Sequence, residues 1–340
     1  MHHPEVDAAT SVPPTAPGAT RRSRLLAAAK WTTTVVLLAL VAWRLPLADL
    51  GARLGQVRPT HVFFLIAIST AQVALSVVRW WRLLHRVGER VPYGSVFGDA
   101  CVGFLYNLLL PGSVGGDVVR ALRMRGRVRV PHHAWSTSIF ERIVGLFAMA
   151  SSASVAAVVG VDASMTLPEW LRWATLGLTL ALAGLFVFAS LPFRLLVRFL
   201  GTRLPAVARA DIAGIGEDLA GPLAKLSLRG EAFAWSLAYQ AMNLVFVMAC
   251  AAALGAPGHE RAIVIGVPLI YVLSLAPITV GGHGLREGLH VAILGALGMP
   301  GEVALGLSAA FVASSLLFSG VGALFLLADR PSRSGSAPAP

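Results

Sequence analysis

The chain has 340 residues, 56% of them hydrophobic and 13% charged, with a formal net charge of +11 and a mean hydropathy of +0.72. A soluble domain carries about 25% charged residues, so this composition excludes an ordinary water-soluble globule. The positive charge is nearly all arginine, since Lys30 and Lys225 are the only lysines. It clusters between apolar runs, a pattern of membrane orientation and headgroup contact rather than of nucleic-acid binding.

Residues 1–24 are rich in Pro, Ala and Thr and predict a disordered cytoplasmic N-terminus with no cleavable signal. A membrane helix needs about 20 mainly apolar residues. Runs of that kind cover 26–46, 60–82, 133–158, 170–191, 232–255 and 302–328. Two shorter runs, 95–110 and 262–276, stop at Pro/Gly motifs and resume as short limbs over 117–128 and 283–298. Their shortness predicts re-entrant hairpins; full crossings by every limb would leave the same sidedness.

The basic clusters fit one orientation, because cytoplasmic loops are rich in arginine and lysine. Arg21, Arg22 and Arg24 place the N-terminus inside, and the next inside loop would hold Arg79, Arg82, Arg86 and Arg90. Trp80, Trp81, Trp170 and Trp173 stand at run ends and read as interface anchors. Segment 192–230 reads as a cytoplasmic amphipathic stretch near the headgroups, and 329–340 as a disordered tail.

The stretch Pro111-Gly-Ser-Val-Gly-Gly-Asp-Val-Val-Arg120 returns in outline as Pro277-Ile-Thr-Val-Gly-Gly-His-Gly-Leu-Arg286, with a constant offset, 277 − 111 = 286 − 120 = 166. The flanking runs repeat too, over about 60–158 and 232–328, and the single span 170–191 separates them. One intervening crossing starts the second unit from the opposite face. The expected fold is therefore an all-α polytopic membrane protein, residues 25–328, built as an inverted repeat of about six full spans plus two re-entrant helical hairpins.

Each motif has the chemistry of an anion-binding tip. Pro111 and Pro277 end the first limb, because proline cannot donate the backbone hydrogen bond. Gly112, Gly115, Gly116, Gly281, Gly282 and Gly284 allow a hinge and close backbone approach. Ser113 and Thr279 can cap freed N–H groups. Arg120 and Arg286 follow one turn into a new helix, where dipole and guanidinium together favour a phosphate. Tight loops with arginines reaching for headgroups are the plainer reading.

Glu141 and Arg142 lie well inside an apolar run, where a charge costs about 2.5–3.5 kcal/mol on insertion scales. Neighbours in a helix do not face each other, so Arg120 is the expected partner of Glu141 and Asp117 that of Arg142. Glu287 can neutralise Arg286; His283 replaces Asp117 in the second copy; Asn107 precedes the first tip and can line the same cavity. Gln240 and Asn243 read as polar contacts between helices. Cys101 and Cys250 sit in apolar surroundings, and no zinc spacing, metal-ligand cluster, nucleophile set or phosphate loop is evident. The expectation is a protein that is not an enzyme and uses no cofactor or metal.

The run Asn107 to Arg120, then Glu141-Arg142, then Pro277 to Glu287, resembles the flippase-like family, which is similar to the transmembrane domain of lysylphosphatidylglycerol synthetase. The resemblance covers about residues 25–328. It implies a lipid-translocating domain of inverted repeats and re-entrant helices. Bifunctional relatives carry a soluble aminoacyltransferase domain after the membrane part, and this chain ends at Pro340, so no lipid aminoacylation is expected of it. His283 departs from the small or apolar residue that the family pattern implies.

The expected function is translocation of an anionic phospholipid, glycophospholipid or polyprenyl-phosphate lipid across the cytoplasmic membrane, with both termini cytoplasmic. The expected partners are membrane lipids, with a lipid-modifying enzyme or glycosyltransferase as a further candidate. A small-anion secondary transporter and a non-transporting subunit of a lipid-linked glycosyltransferase system remain as alternatives.

Overall fold

The computed structural model describes residues 32, 35, 36, 47–109, 115–159, 169–200, 205–274, 279 and 283–328. No strand occurs among the described residues. The segments 1–24 and 329–340, most of the run 26–46, and the tip residues Pro111, Gly112, Ser113, Pro277, Gly281 and Gly282 lie outside them.

A short helix α1, Leu47–Gly55, leads into α2, Pro59–Arg86. Then come α3, Tyr93–Leu109; α4, Gly115–Arg125; and α5, Pro131–Val159. Next are α6, Glu169–Val187; α7, Leu191–Leu200; and α8, Ala206–Ala220. The last four are α9, Leu226–Ala253; α10, Glu260–Leu273; α11, Leu285–Leu289, which continues as one wider π-turn over His290–Leu294; and α12, Gly301–Ala328.

Helices α2, α5, α9 and α12 are long and apolar enough to cross a membrane, and α6 with α7 is a fifth candidate, bent by 69° between its two parts. The run 170–191 is therefore not one straight span: its helix stops at Val187, and the chain turns before the arginines of α7. The protein is an all-α polytopic membrane protein.

The caps show why the long helices end where they do. At the end of α2, Gly88 takes φ 92°, and the Glu89 N–H reaches back to the Leu84 carbonyl at 3.0 Å. This closure needs a left-handed residue, which glycine supplies at least cost. Helix α9 ends identically, with Gly255 at φ 72° and the Ala256 N–H on the Ala251 carbonyl at 3.0 Å. The two glycines are 255 − 88 = 167 apart; the helix starts are 226 − 59 = 167 apart, and each helix has 28 residues.

The limbs between the long helices are short. Helix α3 has 17 residues and α10 has 14, lengths of about 26 and 21 Å against a hydrocarbon core of about 30 Å. Helix α4 has 11 residues, about 17 Å.

Packing is crosswise. Helix α2 lies on α9, α3 lies on α12, and α10 lies on α5, so the last long helix of each half covers the first limb of the other. At Gly322 of α12 a Cβ would strike the Cys101 carbonyl of α3, so the two backbones touch, as small residues permit in membranes. Trp80, Val96, Met124 and Phe318 share one apolar core among α2, α3, α4 and α12. Phe246, Val267, Leu294 and Leu307 share a second among α9 to α12. Helix α8 buries Ile215 and Leu219 against α5 and α2.

Candidate functional site

The short helices α3, α4, α10 and α11 and the long helices α2, α5, α9 and α12 line one cavity of about 390 Å³. Four arginines line it, Arg79, Arg120, Arg142 and Arg286, with two carboxylates, Asp117 and Glu141, so its wall carries 4 − 2 = +2. Asn107, Tyr239, Gln240 and Tyr271 add polar groups, and Phe104, Leu146, Met149 and Phe311 add apolar surface.

The α4 tip is pinned to the limb before it. The Gly116 N–H donates to Asn107 Oδ1 at 2.7 Å. A Cβ on Gly116 would run into the Gly103 carbonyl oxygen and come within 2.6 Å of the Asn107 side chain. Only glycine lets the start of α4 lie against α3, and that contact aims the first turn of α4 into the cavity.

That turn carries Asp117 and Arg120. Arg120 meets Glu141 Oε2 at 2.8 Å and Asp117 Oδ1 at 3.1 Å, and its guanidinium sits 4.7 Å from the Trp80 ring centroid. Arg79 holds the other Glu141 oxygen through Nη2 at 2.7 Å and Nε at 3.3 Å, and its Nη1 donates to Ser236 Oγ at 2.7 Å. Arg142 Nη1 lies 3.2 Å from Asp117 Oδ2. Glu141, 2% exposed, is thus clamped between two guanidiniums. The expected pairs Glu141–Arg120 and Arg142–Asp117 are both present.

The second tip is built differently. Arg286 reaches into the same cavity, yet its closest described carboxylate oxygen, Glu287 Oε1, is 3.8 Å away. Glu287 turns instead to its own helix start: it accepts the Gly284 N–H and, at 3.3 Å, the Ser308 hydroxyl. Arg286 stacks over Phe311 at 5.3 Å, and its Nε makes no hydrogen bond among the described residues. Glu287 therefore neutralises Arg286 less than the sequence suggests, because its oxygens are committed elsewhere.

Of the remaining expected site residues, Thr279 is buried and His283 is half-buried, its Nδ1 3.7 Å from Glu287. Neither lines the cavity, nor does Glu287.

The sequence matches the family described as Lysylphosphatidylglycerol synthase TM region over residues 25–322. The chain belongs to this family. Membership ties it to membrane lipid, and with the apolar helices it makes the chain a multi-pass membrane protein of that family. No curated protein matches the sequence.

Two residues escape the sequence reading: Arg79, which lines the cavity, and Trp80, which lies behind Arg120. Arg79 is not in a loop: α2 runs on to Arg86, so Arg79 sits two turns inside the helix and lines the cavity. Trp80 is not an interface anchor. It is fully buried, its Nε1–H bonds Thr137 Oγ1 at 3.2 Å, and its ring underlies Arg120. The signal for both was the stop at Gly88, which lengthens the helix beyond its apolar run. Asn243 does join helices, accepting from Gln72 of α2 at 3.1 Å, and Gln240 lines the cavity.

Proposed function

We propose that this protein moves an anionic lipid between the leaflets of the cytoplasmic membrane, its phosphate held by Arg120 and Arg286 while the two tips open alternately. One observation carries the reading: arginines 166 positions apart in matching motifs line a single cavity of net positive charge. In a low-dielectric setting such a surplus draws an anion strongly, and a forked guanidinium suits phosphate. The limbs, each shorter than the hydrocarbon core, fit half-crossing hairpins that meet near the midplane. The apolar part of the lining fits the first carbons of the acyl or prenyl chains of a lipid. The basic clusters favour cytoplasmic termini.

The lipid class in view is a phospholipid, an aminoacylated phosphatidylglycerol, a glycophospholipid or a polyprenyl phosphate. Chemistry on the substrate forms no part of the reading; its charged groups bind and release. The test is leaflet transfer of fluorescent phosphatidylglycerol in vesicles containing the purified protein. Transfer above protein-free vesicles, abolished in the Arg120→Ala, Arg286→Ala double variant, is expected. Uptake of soluble phosphate with no lipid movement would replace this reading with small-anion transport. Intact lipid transfer in the double variant would remove the arginines from the mechanism.

A further inference from the structure

Away from the cavity, His132 and His133 at the start of α5 face Asp218 of α8. The sequence offers no metal-ligand spacing here, because 85 positions separate His133 from Asp218. The fold closes that gap: one ligand atom from each of the three residues lies within 4.8 Å of the others. His132 Nε2 is 3.7 Å from Asp218 Oδ2, and His133 Nε2 is 3.6 Å from Asp218 Oδ1. Both separations are too long for hydrogen bonds. They are close to the edge of a tetrahedron around a zinc-class ion, about 3.3 Å for ligands at about 2.0 Å.

The surroundings prepare these atoms as ligands. His133 Nδ1 lies 2.7 Å from Glu89 Oε1. The Glu89 carboxylate also accepts the backbone N–H groups of Arg129 and Val130, at 2.9 and 3.1 Å, so His133 Nδ1 is the donor in the contact with Glu89. A neutral ring then bears its lone pair on Nε2, the atom that faces Asp218. A carboxylate behind a histidine in this way is the usual support of a metal ligand. Ser136 Oγ donates to Asp218 Oδ2 at 2.6 Å and fixes the second ligand. Gly214 of α8 makes room for the third: a Cβ there would lie 2.6 Å from the His132 ring.

We propose that His132, His133 and Asp218 bind one divalent transition-metal ion of the zinc class, with water completing the shell. Two imidazole nitrogens and one carboxylate oxygen suit zinc better than calcium or magnesium, which prefer all-oxygen sites. The ion would clamp α8 to the first turn of α5. Glu141 stands eight residues further along α5, so the clamp would brace the helix that supports the cavity. The site is independent of the lipid reading.

The test titrates Co²⁺ into the full-length protein, purified in detergent without a polyhistidine tag, and follows the visible absorption of a four-coordinate ion. One saturable equivalent, displaced by Zn²⁺, is expected, with Zn²⁺ raising the thermal midpoint. His132→Ala and Asp218→Asn should weaken binding at least tenfold and abolish the Zn²⁺ shift. A His2→Ala, His3→Ala variant should keep both signals. Absence of saturable Co²⁺ binding in the wild type, or equal binding in a monodisperse His132→Ala protein, would overturn the proposal.

Discussion

Glu141 and Phe311 each stand against a tip arginine, Glu141 against Arg120 and Phe311 against Arg286. Each stands ten residues after the first residue of its helix, 141 − 131 and 311 − 301. Where the first half supplies a carboxylate, the second supplies an aromatic ring. The charge of Arg120 is therefore balanced by two close carboxylates, whereas Arg286 has only Glu287, at 3.8 Å.

Phe311→Glu would give the second half the carboxylate of the first. The variant should fold, because the new acid has an arginine beside it. It should lower retention of anionic lipid at least tenfold, read by mass spectrometry of co-purified lipid. Phe311→Leu removes only the ring contact, worth about 0.5–2 kcal/mol, and should cost at most about thirtyfold.

Arg286→Ala and Arg120→Ala should differ in kind. Arg286 has a loose ion pair, so its loss should leave the thermal midpoint nearly unchanged and reduce leaflet transfer strongly. Arg120 is part of a closed network with Glu141 and Asp117, so its loss should lower both. Equal effects on stability would contradict the asymmetry.

Glu141→Ala leaves Arg79 and Arg120 without their shared carboxylate. Breaking a buried pair in this way costs about 3–5 kcal/mol. Thermal unfolding in detergent should show a clear drop, and the Arg120→Ala, Glu141→Ala double variant should lose less than the sum of the single changes. Additive losses would mean that the two side chains are not energetically coupled.

Gly116→Ala forces a Cβ into the Gly103 carbonyl and the Asn107 side chain. The overpacking should cost about 1–3 kcal/mol and tilt the first turn of α4 away from the cavity. Transfer should fall although every charged group is retained. Gly94→Ala, near the start of α3, is the control, because a Cβ there meets nothing within 4 Å.

Part of the site was legible from local chemistry. Matching Pro/Gly motifs at a constant offset, each followed by an arginine, marked both tips. The rule that helical neighbours diverge assigned Glu141 and Arg142 to partners on another element, and both pairs are there. Arg79 and Trp80 were misplaced because hydropathy places a helix end where apolar residues stop. Here the backbone continues until a left-handed glycine ends it.

The sequence alone determined that the chain lives in a membrane, that it consists of helices, that its elements recur at a nearly constant spacing, and that two broken segments carry arginines. These follow from composition and spacing, which act over a few turns of chain. Only the tertiary structure decided that both arginines share one cavity, that Glu141 balances Arg120 while Phe311 faces Arg286, and that two histidines meet Asp218. Each of those depends on packing between different helices, across separations from 141 − 120 = 21 to 286 − 120 = 166 residues, and such contacts are set by the shape of the assembled helices, which no local pattern encodes.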